Sequence, residues 1–287
     1  MRKLGRGRVL VLILALSALC LGLAALVLAG SDTAVWPDPS GEDVRSNGKL
    51  VIDCSHNDIG YVMVRSAVET SRGLKLRVNY VDPDLKENDE GKYVQLMYNI
   101  NNIGDFESIP LQMGSGHYEF SLFENVKGTK YSAEGKISMS VELEDENAAF
   151  LVPNQYVNYH PESETVKKSD ELCGGLSPAD CYEAVCRFMA SEFSYDYIRA
   201  QTISSGELPE VDPCFEKRSG ICQDMSAVMV SMLRVQGIPA QLVIGYVGQY
   251  YHAWTVAIVD GEERFFDPTV AVNALEPNLK YAVERKY

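Results

Sequence analysis

Histidine is scarce in this chain, with four in 287 residues, and tryptophan is scarcer, with two. The seven cysteines include no Cys-x-x-Cys pair, and the histidines do not cluster. The spacing that holds a structural zinc is therefore missing. Positive charge is also in short supply, because Lys and Arg number 26 against 40 Asp and Glu, for a net charge of −14. Four of those cations, Arg2, Lys3, Arg6 and Arg8, crowd the first eight residues. A body this acidic lacks the basic face that nucleic acid requires, so no nucleic-acid partner is expected. Its charge reads as a solvated surface. From Val9 to Ala29 charge of either sign is absent. That run is either a signal peptide, cleaved near Val27-Leu28-Ala29, or an anchor spanning the bilayer at ~20 residues, and its length favours the anchor. Either way the body is expected outside the membrane, tethered to it if the segment is uncleaved.

What remains is ordinary globular material, 46% hydrophobic and 23% charged, and long enough for two folded units. Residues 1–30 form the export segment, and 31–49, rich in Pro, Gly, Ser and Asp, read as a linker. Residues 50–145 hold seven short β-rich runs, Leu50–Asp53, Tyr61–Ser66, Leu74–Tyr80, Tyr93–Ile100, Glu107–Met113, His117–Glu124 and Ile137–Leu143, with turn signals between them. This pattern suggests an Ig-like antiparallel sandwich. After a connector at 146–161, residues 162–287 alternate helical and β patterns. Glu162–Leu172 is a weak helix candidate, and Ser177-Pro178-Ala179-Asp180 is a strong helix start. Ser194 to Ser219 reads as a long polar loop of the kind that lines a cleft.

The chemistry centres on Gly220-Ile221-Cys222-Gln223-Asp224. A cysteine between a glycine turn and a helix-period run (Met225, Val228, Met229, Met232, Leu233) belongs in the first turn of a helix. There the free N–H groups and the positive dipole end favour the thiolate. Asp224 reads as a favourable partner of that dipole. If Asp260-Gly261 is a two-residue hairpin turn, Val259 faces Glu262 and Trp254 faces Asp267. His252 then lies diagonal to Asp267 on one face of the sheet, within side-chain reach. The spacing supplies a base and an orienting carboxylate for the thiol. His56 and His117 have no such partners and read as structural or surface residues. Trp254 reads as packing beside the site. Besides Cys222, five cysteines follow the export segment: Cys54, Cys173, Cys181, Cys186 and Cys214. Their pairing is left open, although an odd number cannot all pair within one chain.

The motifs Gly220-Ile221-Cys222-Gln223-Asp224, Met232-Leu233-Arg234-Val235-Gln236-Gly237-Ile238-Pro239-Ala240, Gly245-Tyr246, His252-Ala253-Trp254 and Phe266-Asp267-Pro268-Thr269 together resemble the transglutaminase-like superfamily in order and spacing. The resemblance runs from Ser219 to about Val270. It implies an α+β fold in which a papain-like core follows the N-terminal β-domain, with the cysteine helix packed on an antiparallel sheet. It also implies Cys222, His252 and Asp267 as a catalytic triad that needs no metal or other cofactor, in an exported bacterial member. The expected activity is thioester-forming attack on an amide bond of a protein, peptide or cell-wall peptide. Hydrolysis, as in a cysteine peptidase or amidase, is preferred to protein crosslinking by transamidation. A non-catalytic surface-binding module that keeps the fold is the alternative from another class.

Overall fold

The computed structural model describes residues 33–89, 92–275 and 280–287, and the apolar N-terminal run lies outside them. Among the described residues no helix is long and apolar enough to cross a membrane.

The N-terminal half is built of strands Val44–Asn47 (β1), Leu50–Asp53 (β2), Tyr61–Ser66 (β3), Leu74–Val81 (β4), Tyr93–Ile100 (β5), Glu107–Pro110 (β6), Gly116–Lys127 (β7) and Lys130–Val141 (β8). They form two four-stranded antiparallel sheets, ordered β1-β2-β3-β6 and β5-β4-β7-β8. Strand β4 shows why. Leu74, Leu76, Val78 and Tyr80 are buried while Lys75, Arg77, Asn79 and Val81 are half-exposed, the period of two that one wet and one dry face impose. Its buried residues share an apolar interior with Leu50, Ile52, Val62 and Val64 of the other sheet and with Tyr118, Phe120 and Leu122 of β7.

Two segments differ from the sequence reading. Residues 44–47, expected within a linker, pair with β2 across a tight turn at Gly48-Lys49, where Gly48 takes φ +57°. All four residues of β1 are exposed, so no apolar alternation marks the strand. The last hairpin is also longer than expected, with β7 and β8 each of 12 residues. The first half of β8 is largely solvent-facing and lacks the apolar signal that revealed its second half.

The C-terminal half follows a short 3-10 turn at Ala148–Leu151. Its helices are Glu164–Cys173 (α1), Pro178–Glu192 (α2), Tyr197–Thr202 (α3), Val211–Lys217 (α4), Cys222–Arg234 (α5) and Pro268–Val272 (α6). Its strands are Ser194–Tyr195 (β9), Ser219–Gly220 (β10), Ala240–Val247 (β11), Tyr250–Val259 (β12), Glu262–Phe266 (β13) and Tyr281–Lys286 (β14). The last four make an antiparallel sheet ordered β13-β12-β11-β14, and β9 pairs with β10 in parallel. Helix α5 is the hub, since every residue from Asp224 to Arg234 is buried. It packs on β11 and β12 and against α1, α2 and α4, so it is enclosed on all sides. Arg234 at its end is fully buried and donates to the carbonyls of Ala240 (2.8 Å), Val152 (2.5 Å) and Tyr287 (2.8 Å). Helix, connector, β11 and Tyr287, just after β14, are thereby held by one guanidinium.

The cysteine pairing is now explicit. Cys173 and Cys181 form a disulfide across the α1–α2 turn, whereas Cys54, Cys186, Cys214 and Cys222 are free thiols. The stretch from Ser194 to Ser219, expected as a long polar loop lining a cleft, contains β9, α3, α4 and the first residue of β10. Elements of two to seven residues are too short to display a period.

Candidate active site

Helix α5 opens on Cys222. Gly220 lies so close beneath the thiol-bearing turn that an added Cβ would sit 2.5 Å from Cys214 Sγ and 2.9 Å from Asp224 Cβ; only glycine fits. Asp224 closes the turn by accepting the Ile221 N–H at 3.1 Å. The dipole role expected for Asp224 is only part of what it does. It is 1% exposed, and its carboxylate takes the Arg199 guanidinium through Nε at 2.6 Å and Nη2 at 3.2 Å. It also accepts the Glu210 N–H at 3.1 Å. One buried anion thus ties α3 and the start of α4 to the helix that presents Cys222. Nothing in the local sequence marks Arg199, because its partner lies 25 residues further along the chain.

His252 and Asp267 come from the sheet. Asp260 and Gly261 take φ +53° and +80°, the left-handed pair of a two-residue hairpin turn. The ladder runs from Val259 opposite Glu262 to Thr255 opposite Phe266, the register read from the sequence. Asp267 then ends the strand and caps α6, with Oδ1 accepting the N–H groups of Thr269 (2.9 Å) and Val270 (3.1 Å). Its other oxygen, Oδ2, lies 2.7 Å from His252 Nε2. The residue is both turn-former and histidine partner.

That bond occupies Nε2, and the Cys222 thiol interacts with the same imidazole. Burial alone would push the imidazole pKa down, but the bond to Asp267 and the contact with the thiol outweigh it, and the pKa is raised to about 9. An imidazole held protonated at neutral pH beside a thiol has a proton to give to a leaving group. The backbone N–H groups of that first turn have no acceptor within the helix.

Aromatic rings enclose the pair. Trp254 is buried, with its ring stacked near His252 at 6.3 Å and edge-on to Tyr281 at 4.9 Å. The Tyr281 hydroxyl donates to Asp267 Oδ2 at 2.8 Å. Tyr195, opposite Gly220 in the β9–β10 pair, faces the thiol; burial first and then Cys222 raise its phenol to about 12. Outside the enclosed centre, Tyr197 and Ile198 on α3 and Tyr250 on β12 are strongly exposed. Tyr281 carries no signal in a one-dimensional pattern, since it reaches the site through tertiary pairing. The remaining histidines lie elsewhere: His56 beside Tyr61, His117 near Ser140, and His160 between Glu162 and Asp212. A groove of about 600 Å3 lined by Trp36, Phe106, Tyr159 and His160 includes none of Cys222, His252 and Asp267. The distances, not that cavity, locate the candidate chemistry.

Residues 168–266 match the family model of the transglutaminase-like superfamily. The matched stretch contains Cys222 and His252 and stops one residue short of Asp267. Similar solved structures include a candidate cysteine protease from Cytophaga hutchinsonii, 13% identical, with a TM-score of 0.40 over 78% of this chain and 83% of that one. A candidate protease from Parabacteroides distasonis is 13% identical, with a TM-score of 0.33 over 68% of this chain and 37% of that one. Red sea bream transglutaminase is 13% identical, with a TM-score of 0.29 over 73% and 48%. These likenesses are distant, and no activity is read from them. No curated protein matches the chain. Over residues 168–266, and there alone, the chain is similar to the transglutaminase-like superfamily.

Proposed function

We propose that the protein is an exported, thiol-dependent enzyme acting on amide bonds, with Cys222 as nucleophile, His252 as acid and base, and Asp267 as the group that orients His252. The observation that carries this reading is the single line of contacts from Asp267 through His252 to the thiol at the head of α5. The Cys222 thiolate attacks the amide carbonyl carbon, and the resulting oxyanion is stabilised by first-turn N–H groups. The imidazolium gives its proton to the departing amine as the C–N bond breaks, leaving a thioester. Water then attacks, His252 takes the proton from it, and the acid departs as the thiolate re-forms. Hydrolysis is preferred to transfer onto a second amine, because a body outside the membrane is surrounded by water. The N-terminal pair of sheets is read as an Ig-like sandwich that stands between the export segment at residues 1–30 and the catalytic half, where the substrate is a protein, peptide or cell-wall peptide.

Purified protein incubated with peptides and cell-wall fragments, with and without an added primary amine, tests this. Cleavage that exceeds amine incorporation and disappears in Cys222→Ala is expected. Incorporation outrunning hydrolysis would reverse the reaction preference. Cleavage surviving in Cys222→Ala, or a Cys222 inert to iodoacetamide from about pH 5 to 8, would remove the enzyme reading altogether.

A further inference from the structure

We infer that Tyr281, on the last strand of the sheet, is a positioning residue that sets the basicity of His252 by sharing the carboxylate oxygen on which His252 depends. The inference rests on the functional reading above and deepens it. Asp267 Oδ2 has two partners, His252 Nε2 at 2.7 Å and the Tyr281 hydroxyl at 2.8 Å, while Oδ1 is filled by the Thr269 and Val270 amides. With all four partners protein groups and the side chain 2% exposed, solvent contributes little to that carboxylate. The hydroxyl and the imidazole therefore compete for the charge on one oxygen.

Tyr281 is not a chance neighbour. It stands opposite Val247 at the start of β14, and Val247 also faces Tyr250 on β12. By the period of two, Tyr250, His252 and Trp254 share one face of β12, and Tyr281 lies on that same face. Its ring packs edge-on against Trp254 at 4.9 Å and Phe265 at 4.8 Å, which fixes where the hydroxyl points. The ring also lies 6.4 Å from the His252 ring, covering the His–Asp bond. Burial, then the bond to Asp267, then its charge raise the phenol pKa well above its ordinary value, so the group remains a donor over the whole working range. The groups facing the pair are Cys222 from α5, Asp267 at the head of α6 and Tyr281 from β14, with Tyr195 from β9 facing the thiol.

A donor removed from a buried carboxylate leaves more of its charge for the remaining partner, and an imidazolium gains from that. Tyr281→Phe should therefore raise the pKa of His252, whereas 3-fluorotyrosine at position 281, a stronger donor that preserves the packing, should lower it. The titration is followed by NMR of the imidazole in a Cys222→Ala background, which removes coupling to the thiol. A rise of about one unit is expected in Tyr281→Phe, with a fall for the fluorinated protein and no change for Tyr80→Phe, a control that loses a hydroxyl bond to Ser115 in the N-terminal half. In the Cys222-containing enzyme the alkaline limb of turnover should move in the same directions. A His252 titration unmoved by either change at position 281, or moved equally by Tyr80→Phe, overturns the inference. The opposite signs expected of the two changes keep a general loosening of the fold from passing as support. Failure of the catalytic reading is separate, because it shows as an inert Cys222 thiol in the unaltered protein whatever His252 does.

Discussion

At the scale of single residues, the site depends on how few side chains can do the work. With four histidines in the chain, one base was identifiable from spacing, and Asp267 followed from the parity of a hairpin. Its pKa carries a stability consequence. A free imidazole titrates near 6.5 and folded His252 near 9, so the folded state holds that proton more tightly than the unfolded chain. The resulting stabilisation is complete below about pH 6.5 and is lost as pH rises through about 9. Urea unfolding of the wild type and of His252→Ala at about pH 6 and about pH 10 should show the wild type losing more stability across that interval. Equal losses would mean that the imidazole is not protonated preferentially in the folded state. What the sequence could not supply at this scale was Tyr281 and Arg199. Each meets its carboxylate only after the chain has crossed the fold, the one at the start of β14, the other 25 residues before Asp224.

At the scale of elements, helix α5 and the hairpin of β12 and β13 were legible because each carries its own local grammar. A glycine-tight turn and an apolar period of three and four mark the helix, and a left-handed dipeptide fixes the hairpin register. Helices α3 and α4 were not legible. They are held less by their own propensity than by Asp224, which gathers Arg199 and the Glu210 amide under the start of α5. Asp224→Ala should cost about 2 kcal/mol, less than the ~3–5 of a fully buried pair because Arg199 keeps part of its side chain in water. Urea unfolding gives the magnitude. Limited proteolysis should detect faster cutting around Ser204-Ser205-Gly206 in the same variant, and an unchanged cutting rate would show that the segment is held by something else.

At the scale of the whole molecule, two cross-links reinforce contacts between elements. Arg234 gathers α5, the connector, β11 and Tyr287, just after β14, on its three carbonyl bonds. The Cys173–Cys181 disulfide joins α1 to α2 with a sequence separation of eight. Closing so short a loop restricts the unfolded chain by about 2–3 kcal/mol. Cys173→Ala/Cys181→Ala protein should therefore melt lower than the wild type under oxidising conditions, and the two should converge once reductant is added. Alkylation of Cys222 should be the same in both, because that thiol lies outside the disulfide. A melting difference that persists in reductant would assign the stabilisation to packing of the two sulfurs rather than to the bond.

Sequence alone pointed to the residues proposed to carry chemistry and determined on which kind of element each lies. Helical period, turn dipeptide and strand parity are local properties, fixed within a few residues by backbone sterics and by the separation of apolar from polar faces. That is how Cys222 was placed at a helix start, and how His252 and Asp267 were placed on one face of a hairpin. Tertiary structure decided which cysteines bond, that residues 44–47 add a strand, that Asp224 anchors two short helices, and that the final strand brings Tyr281 to the oxygen shared with His252. Those choices depend on burial and contact between segments far apart in the chain, where desolvated charges need partners that no local pattern specifies.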